Sequence, residues 1–132
     1  MERMEVCRGL RARTDRHYNC AQSVLIPFCP ETGLEEETAY RLGAPFGGGM
    51  HVGSACGALT GGLMVLGLLG YDKEVSTALI RHFAGCHVST DCRELLAANA
   101  ALGLDKKPHC DGLVYEVVAW LEDLLAREPL PR

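Results

Sequence analysis

The stretch from Ala55 to Leu69 limits the fold more than any other feature. It is an apolar run of about 15 residues, with no polar side to present to water if it is wound as a helix. Such a helix must be covered by other elements on every side, so it reads as the buried centre of the molecule. It is shorter than the roughly 20 residues needed to cross a hydrocarbon core and lacks basic flanks, so no membrane span is expected. Gly53, Gly57 and Gly61 recur at four-residue spacing, with Ala58 and Gly62 beside them. A stripe of such small residues lets a second helix approach at short range.

The rest of the chain reads as further helices separated by Gly, Pro and Asp/Asn punctuation. Strand alternation is weak and β-branched residues are few. The expected fold is all-α, a compact bundle of about five to seven helices around the Gly-rich central one. The first helix runs from Glu2 to about Arg13. The second starts at Asn19, a good cap with Gln22 three residues later. Pro27 kinks or ends it, and Cys29 to Gly33 is expected to turn. The third covers Glu35 to about Leu42, with three glutamates suited to a helix start. Ser54 is expected to cap the central helix, Ala55 to about Leu69. A fifth helix spans about Lys73 to Phe83, and Gly85 to Thr90 reads as a loop. Asp91, with Glu94 at the third position, is expected to cap the sixth. Gly103 to Pro108 connects to a last helix, about Cys110 to Ala126, whose residues Leu113, Val114, Val117, Val118, Leu121, Leu124 and Leu125 follow helical spacing. Pro129 and Pro131 are expected to stop the tail.

Composition narrows the function. The 132 residues suit one domain, 1–132, and 48% hydrophobic with 23% charged is a globular balance that excludes a disordered tail. A net charge of −4 argues against nucleic acid as a partner, because phosphate binding needs a basic face. Aromatic residues at 6% are too few for base-stacking platforms.

The count of seven cysteines is high. The start, Met1-Glu2-Arg3-Met4-Glu5, is charged and has no apolar segment of the secretory kind, so a reducing cytoplasm is the expected location. There, clustered thiols point to metal or redox chemistry before structural disulfides. No two of Cys7, Cys20, Cys29, Cys56, Cys86, Cys92 and Cys110 are separated by two residues. That argues against a thioredoxin motif and against zinc ribbons or fingers. Any shared site must be assembled by the fold from distant segments.

On the expected helices, Cys20 follows the Asn19 cap, Cys56 lies two after Ser54, Cys92 follows Asp91, and Cys110 opens the last helix. All four fall in first turns, where unpaired amides and the helix dipole favour the thiolate, which is both redox nucleophile and metal ligand. Free cysteine also serves as a small core hydrophobe, and Cys7, on the apolar stripe of the first helix, reads that way. His51, His87 and His109 border these positions as candidate ligands, bases or solvated loop residues. The loop Gly43 to Gly53 is glycine-rich, yet no GxxxxGK[ST] or preceding strand accompanies it, so nucleotide binding is not expected.

Asn19-Cys20-Ala21-Gln22, the loop Phe46-Gly47-Gly48-Gly49-Met50, the core Cys56-Gly57-Ala58-Leu59-Thr60-Gly61, then Cys92 and Cys110, resemble the C_GCAxxG_C_C family over nearly the whole chain. The resemblance implies a small bacterial or archaeal redox protein. It places the family's four characteristic cysteines on Cys20, Cys56, Cys92 and Cys110. Related domains in cytochrome-containing proteins are associated with an iron–sulfur centre, so the resemblance also makes such a cluster an expectation here.

Three function classes follow. In the leading one, the four thiolates converge and act in electron or thiol transfer with a redox partner, either by holding an iron–sulfur cluster or by cycling between dithiol and disulfide. In the second, four thiolates, or three with His51 or His109, hold a structural zinc. In the third, the cysteines are packing and the chain is a helical interaction module. A homodimer is compatible with all three. Cys29 and Cys86 are candidates for spare or resolving thiols.

Overall fold

The computed structural model describes residues 2–128, 130 and 131. Helix α1 is Arg3–Ala12 and α2 is Cys20–Leu25; a 3-10 turn, Ile26–Phe28, leads into the four-residue α3, Cys29–Thr32. Helix α4, Glu36–Gly43, passes through a 3-10 turn, Ala44–Phe46, into the glycine-rich loop. Then come α5 (Gly57–Leu68), α6 (Lys73–Cys86), α7 (Cys92–Ala101) and α8 (Lys106–Arg127). The fold is all-α. Its one ladder element among the described residues is an isolated antiparallel bridge between Ala55 and Asp91. No helix in the described residues is long and apolar enough to cross a membrane.

Helix α5 lies at the centre, and glycines set its distance from its neighbours. A Cβ on Gly61 would stand 2.7 Å from the Ala21 carbonyl oxygen and 3.1 Å from its Cα. Both are backbone atoms of α2, which have no rotamer to yield. A Cβ on Gly62 would meet Val117 of α8 at 2.7 Å and Leu79 of α6 at 2.9 Å. The small-residue stripe is thus spent on the crossing with α2, and its flank on α6 and α8. Leu113, Val114, Val117, Val118, Leu121 and Leu124 bury one face of α8 in the same apolar cluster as Leu59, Val65 and Leu66.

Helix α2 is short, six residues, and its ends are fixed by side chains. The Asn19 carboxamide oxygen accepts from the Gln22 amide at 2.8 Å, and the Gln22 side chain accepts from the Asn19 amide at 2.7 Å. This is the reciprocal cap that the spacing predicted. Gln22 is buried, and its remaining N–H donates to the Tyr40 carbonyl at 2.8 Å, tying α2 to α4.

Several boundaries differ from the sequence reading. Ser54 does not cap the central helix; Cys56 is its N-cap. Residues 54–56 run extended instead, because the Cys56 amide donates to Thr90 and the Cys92 amide to Ser54, at 2.8 and 2.6 Å. The last helix begins at Lys106, with Pro108 inside its first turn, where a missing N–H has no intrahelical partner to lose. Cys110 consequently lies in the second turn. Helix α6 continues through Gly85 to Cys86, so only the residues after it form a loop. Cys29 to Thr32 is helical rather than a simple turn, closed by Gly33 at φ +80°. Asp72 caps α6 by accepting from the Val75 amide, whereas Asp91 occupies the N-cap of α7 without a side-chain hydrogen bond. Of the two tail prolines, Pro129 lies outside the described residues.

Candidate functional site

The N-terminal ends of α2, α5 and α7 and the second turn of α8 meet at one end of the bundle. Each brings a cysteine. Cys20 is the first residue of α2, Cys56 caps α5, Cys92 opens α7, and Cys110 projects from α8. Cys20 is their common neighbour. Cys110 is the largest influence on its acidity, and the Cys20 charge is felt at Cys56 and Cys92.

Two glycines let these segments close up. A Cβ on Gly57 would sit 3.2 Å from the Cys20 Cβ, so the start of α5 comes close to α2 beside that cysteine. A Cβ on Gly49 would sit 2.8 Å from the Cys92 Cβ and 2.5 Å from Ser54 backbone atoms. The glycine-rich loop therefore wraps Cys92 with no room for a side chain. Gly48, Gly49, Met50 and His51 all adopt left-handed angles, φ between 60° and 63°. For Met50 and His51 that conformation costs about 1–2 kcal/mol each. The turn is held by the Ser54 amide on the Gly49 carbonyl and by Arg93 on the Val52 carbonyl, at 2.9 and 2.8 Å.

Between these elements opens a cavity of about 410 Å³ that reaches Cys20, Cys92 and Cys110. Arg11 and Arg13 from the α1 end and Lys106 and Lys107 from α8 share its wall with Leu10, His17, Tyr18, Asn19 and Gly48. Arg11 is nearly buried and fixed, donating to Asp111 at 2.7 Å and to the Tyr18 carbonyl at 2.9 Å.

The four thiols differ sharply in acidity. The Cys20 thiol is pushed down to about 7, first by Cys110 and then by the Arg11 and Lys106 charges, against its own burial. Cys110 moves the opposite way, held protonated first by Cys20 and then by burial. Burial pushes Cys56 up to about 11, although the Ala58 and Leu59 amides at the start of α5 face its sulfur and oppose the shift. Burial also raises Cys92. Of the four sulfurs, Cys20 is the one pushed down toward neutrality, with Cys110 as the largest cause.

Other candidates fall elsewhere. Cys7 is fully buried on α1 and pushed up to about 12, the behaviour of a packing thiol. Cys29 is buried at the start of α3, where burial and Glu36 and Glu31 push it up to about 11. Cys86 is exposed at the far end of α6, 4.0 Å from His82. His51 is exposed on the left-handed turn. His109 lies beside His87, and its Nε2 is buried without a hydrogen-bond partner among the described residues.

The sequence reading passed over the cations. Arg11 belongs to a helix that looked mostly polar. Its one local signal is its place four residues after Cys7, on the side of α1 that turns inward. Lys106 was read as part of a connection because Pro108 follows it. Neither is linked to the cysteines by any local spacing.

No curated protein and no solved structure is significantly similar to the chain. The family model described as "Putative redox-active protein (C_GCAxxG_C_C)" matches residues 18–124, a span that contains Cys20, Cys56, Cys92 and Cys110 and every glycine that seats them. The chain belongs to the C_GCAxxG_C_C family.

Proposed function

We propose that this end of the bundle performs dithiol/disulfide exchange, with Cys20 as the attacking thiolate and Cys110 as the resolving thiol. The observation that carries the reading is that Cys20 and Cys110 line one cavity together with Arg11 and Lys106. A thiolate is the nucleophile in such exchange, and the best attacker has a pKa near the ambient pH.

The Cys20 thiolate attacks one sulfur of a partner disulfide. That S–S bond breaks, the first partner thiolate leaves and takes up a proton, and a mixed disulfide joins Cys20 to the other half. Cys110 then loses its proton and attacks the Cys20 sulfur, releasing the second partner thiol. The partner disulfide has gained two electrons and two protons, and Cys20 and Cys110 are left as a disulfide. A dithiol reductant returns them to thiols. Arg11 and Lys106 offset the negative charge on Cys20, and the cations on the cavity wall favour a partner that is acidic around its disulfide. Cys56 and Cys92 stay protonated at neutral pH and close the inner side of the site.

The test is trapping. Cys110→Ser should accumulate the mixed disulfide with a small aromatic disulfide, seen as an added mass on Cys20, whereas Cys20→Ser should form none. Equal trapping on Cys56 or Cys92 in the Cys20→Ser protein would overturn the assignment.

A second reading rests on a separate observation: four thiols from four helices flank one end of the bundle, with cationic residues beside them. Cys20, Cys56, Cys92 and Cys110 would then hold an iron–sulfur cluster, which supplies one-electron transfer when bound. Iron and acid-labile sulfide in matching amounts, in protein purified without oxygen, would favour it. Mononuclear zinc fits less well, because tetrahedral thiolate ligation brings sulfurs to roughly 3.8 Å of one another. Among the described residues, no three of these thiols lie within 4.8 Å of one another. If the chain were instead an interaction module with packing cysteines, double replacement of Cys20 and Cys110 would leave its function intact.

A further inference from the structure

A second cluster of ligand-type side chains lies along the α6–α8 edge, around the exposed Cys86. His82 and Cys86 are one turn apart at the end of α6, and Glu116 faces them from α8. The His82 Nε2 is 4.0 Å from the Cys86 sulfur and 3.8 Å from a Glu116 carboxylate oxygen. One ligand atom from each of the three lies within 4.8 Å of the other two.

These separations are informative. At 3.8 and 4.0 Å the groups are too far apart for good direct hydrogen bonds. They are close to the spacing of ligands that share an ion: around tetrahedral zinc, imidazole nitrogen and thiolate sulfur sit roughly 3.5 Å apart. The Cys86 and Glu116 ligand atoms lie within 4.8 Å of each other, and closing on an ion draws the side-chain tips together. The carboxylate is already oriented. The His87 Nε2 stands 2.9 and 3.1 Å from the two Glu116 oxygens, and the His87 ring is packed on Phe83 with centroids 4.6 Å apart. A hydrogen bond that orients a ligating carboxylate is a regular companion of metal ligands.

We propose that His82, Cys86 and Glu116 bind one borderline divalent cation of the zinc class, with His87 positioning Glu116 and solvent at the open fourth position. Imidazole, thiolate and carboxylate together suit Zn²⁺ or Co²⁺, whereas Mg²⁺ and Ca²⁺ require oxygen ligands. The ion ties the end of α6 to α8. The assignment is independent of the thiol exchange proposed for Cys20 and Cys110.

The chain's single tryptophan reports on the site. Trp120 lies with its ring centroid 6.5 Å from that of His82. Co²⁺ added to the full-length protein should quench Trp120 fluorescence, and Zn²⁺ should displace it and restore the signal. Cys86→Ser and Glu116→Gln, both exposed or half-exposed, should each weaken Co²⁺ binding at least about tenfold, and His87→Ala should weaken it by a smaller factor. Cys92→Ser should leave the quenching curve unchanged. The proposal fails if no quenching occurs below about 1 mM Co²⁺, or if Cys86→Ser and Glu116→Gln titrate like the parent.

Discussion

Cys7 and Cys20 are two sulfurs that both feel the guanidinium of Arg11, and they titrate in opposite directions. Cys7 lies beneath α1, fully buried among apolar side chains, and its thiol is pushed up to about 12. Cys20 starts α2 on the cavity, and its thiol is pushed down to about 7. Arg11 favours the thiolate in both places. The difference is Cys110, which favours the Cys20 thiolate, whereas burial dominates at Cys7. A nearby cation therefore does not by itself make a reactive thiol. A second thiol, presented by another helix on the same cavity, decides which buried sulfur ionises.

The largest test of this contrast is replacement of the two sulfurs. Cys20→Ser should lower the rate of disulfide reduction by about three orders of magnitude, since a hydroxyl does not replace a thiolate nucleophile. Cys7→Ala should leave that rate within about twofold. Comparable losses in both, measured by turnover of a chromogenic disulfide, would break the comparison.

The second test acts on the seat of α2. Gly61→Val drives a branched side chain into the Ala21 backbone of α2, and should destabilise the protein by about 3 kcal/mol. Gly112→Ala, in the middle of α8 with open space around it, should stabilise it by about 0.5–1 kcal/mol. Urea unfolding of both variants measures the difference.

The third concerns pH. Cys20 ionises as pH rises, so its alkylation rate should climb through a midpoint near 7 and flatten above it. Cys110→Ala removes the second thiol and should move the midpoint up toward the ordinary cysteine range near 8.5. At pH 7 that is about a fifteenfold loss of thiolate, which the higher nucleophilicity of the more basic thiolate trims to about threefold to fourfold in rate. An unshifted midpoint, followed by mass-resolved iodoacetamide labelling, would assign the effect to Arg11 and Lys106 instead. On stability, Cys7→Ala should cost about 1 kcal/mol.

Much of the architecture is readable in local patterns. The Asn19–Gln22 capping box, the apolar face of α8 and the glycine stripe of α5 are each set by residues within a turn or two of one another, so spacing reveals them. The errors arose where a distant segment competes with the local rule. Ser54 has the chemistry of a helix cap, but its carbonyl is taken by the Cys92 amide across the bridge, and the helix starts later. Pro108 looked like the end of a connection because the sequence does not show that α8 begins two residues before it. Of the four cysteines expected in first turns, Cys20 and Cys92 occupy them, Cys56 sits one residue earlier as the cap of α5, and Cys110 lies in the second turn of α8.

Sequence by itself determined that the chain is helical and that Ala55 to Leu69 contributes the central helix. These follow from periodicity, from punctuation by Gly and Pro, and from residue identity. Tertiary structure alone decided which cysteine ionises. That depends on a thiol 90 residues away in the chain, a guanidinium from α1 and the solvent each sulfur loses, and electrostatic energy depends on distance and burial, neither of which is written in local sequence.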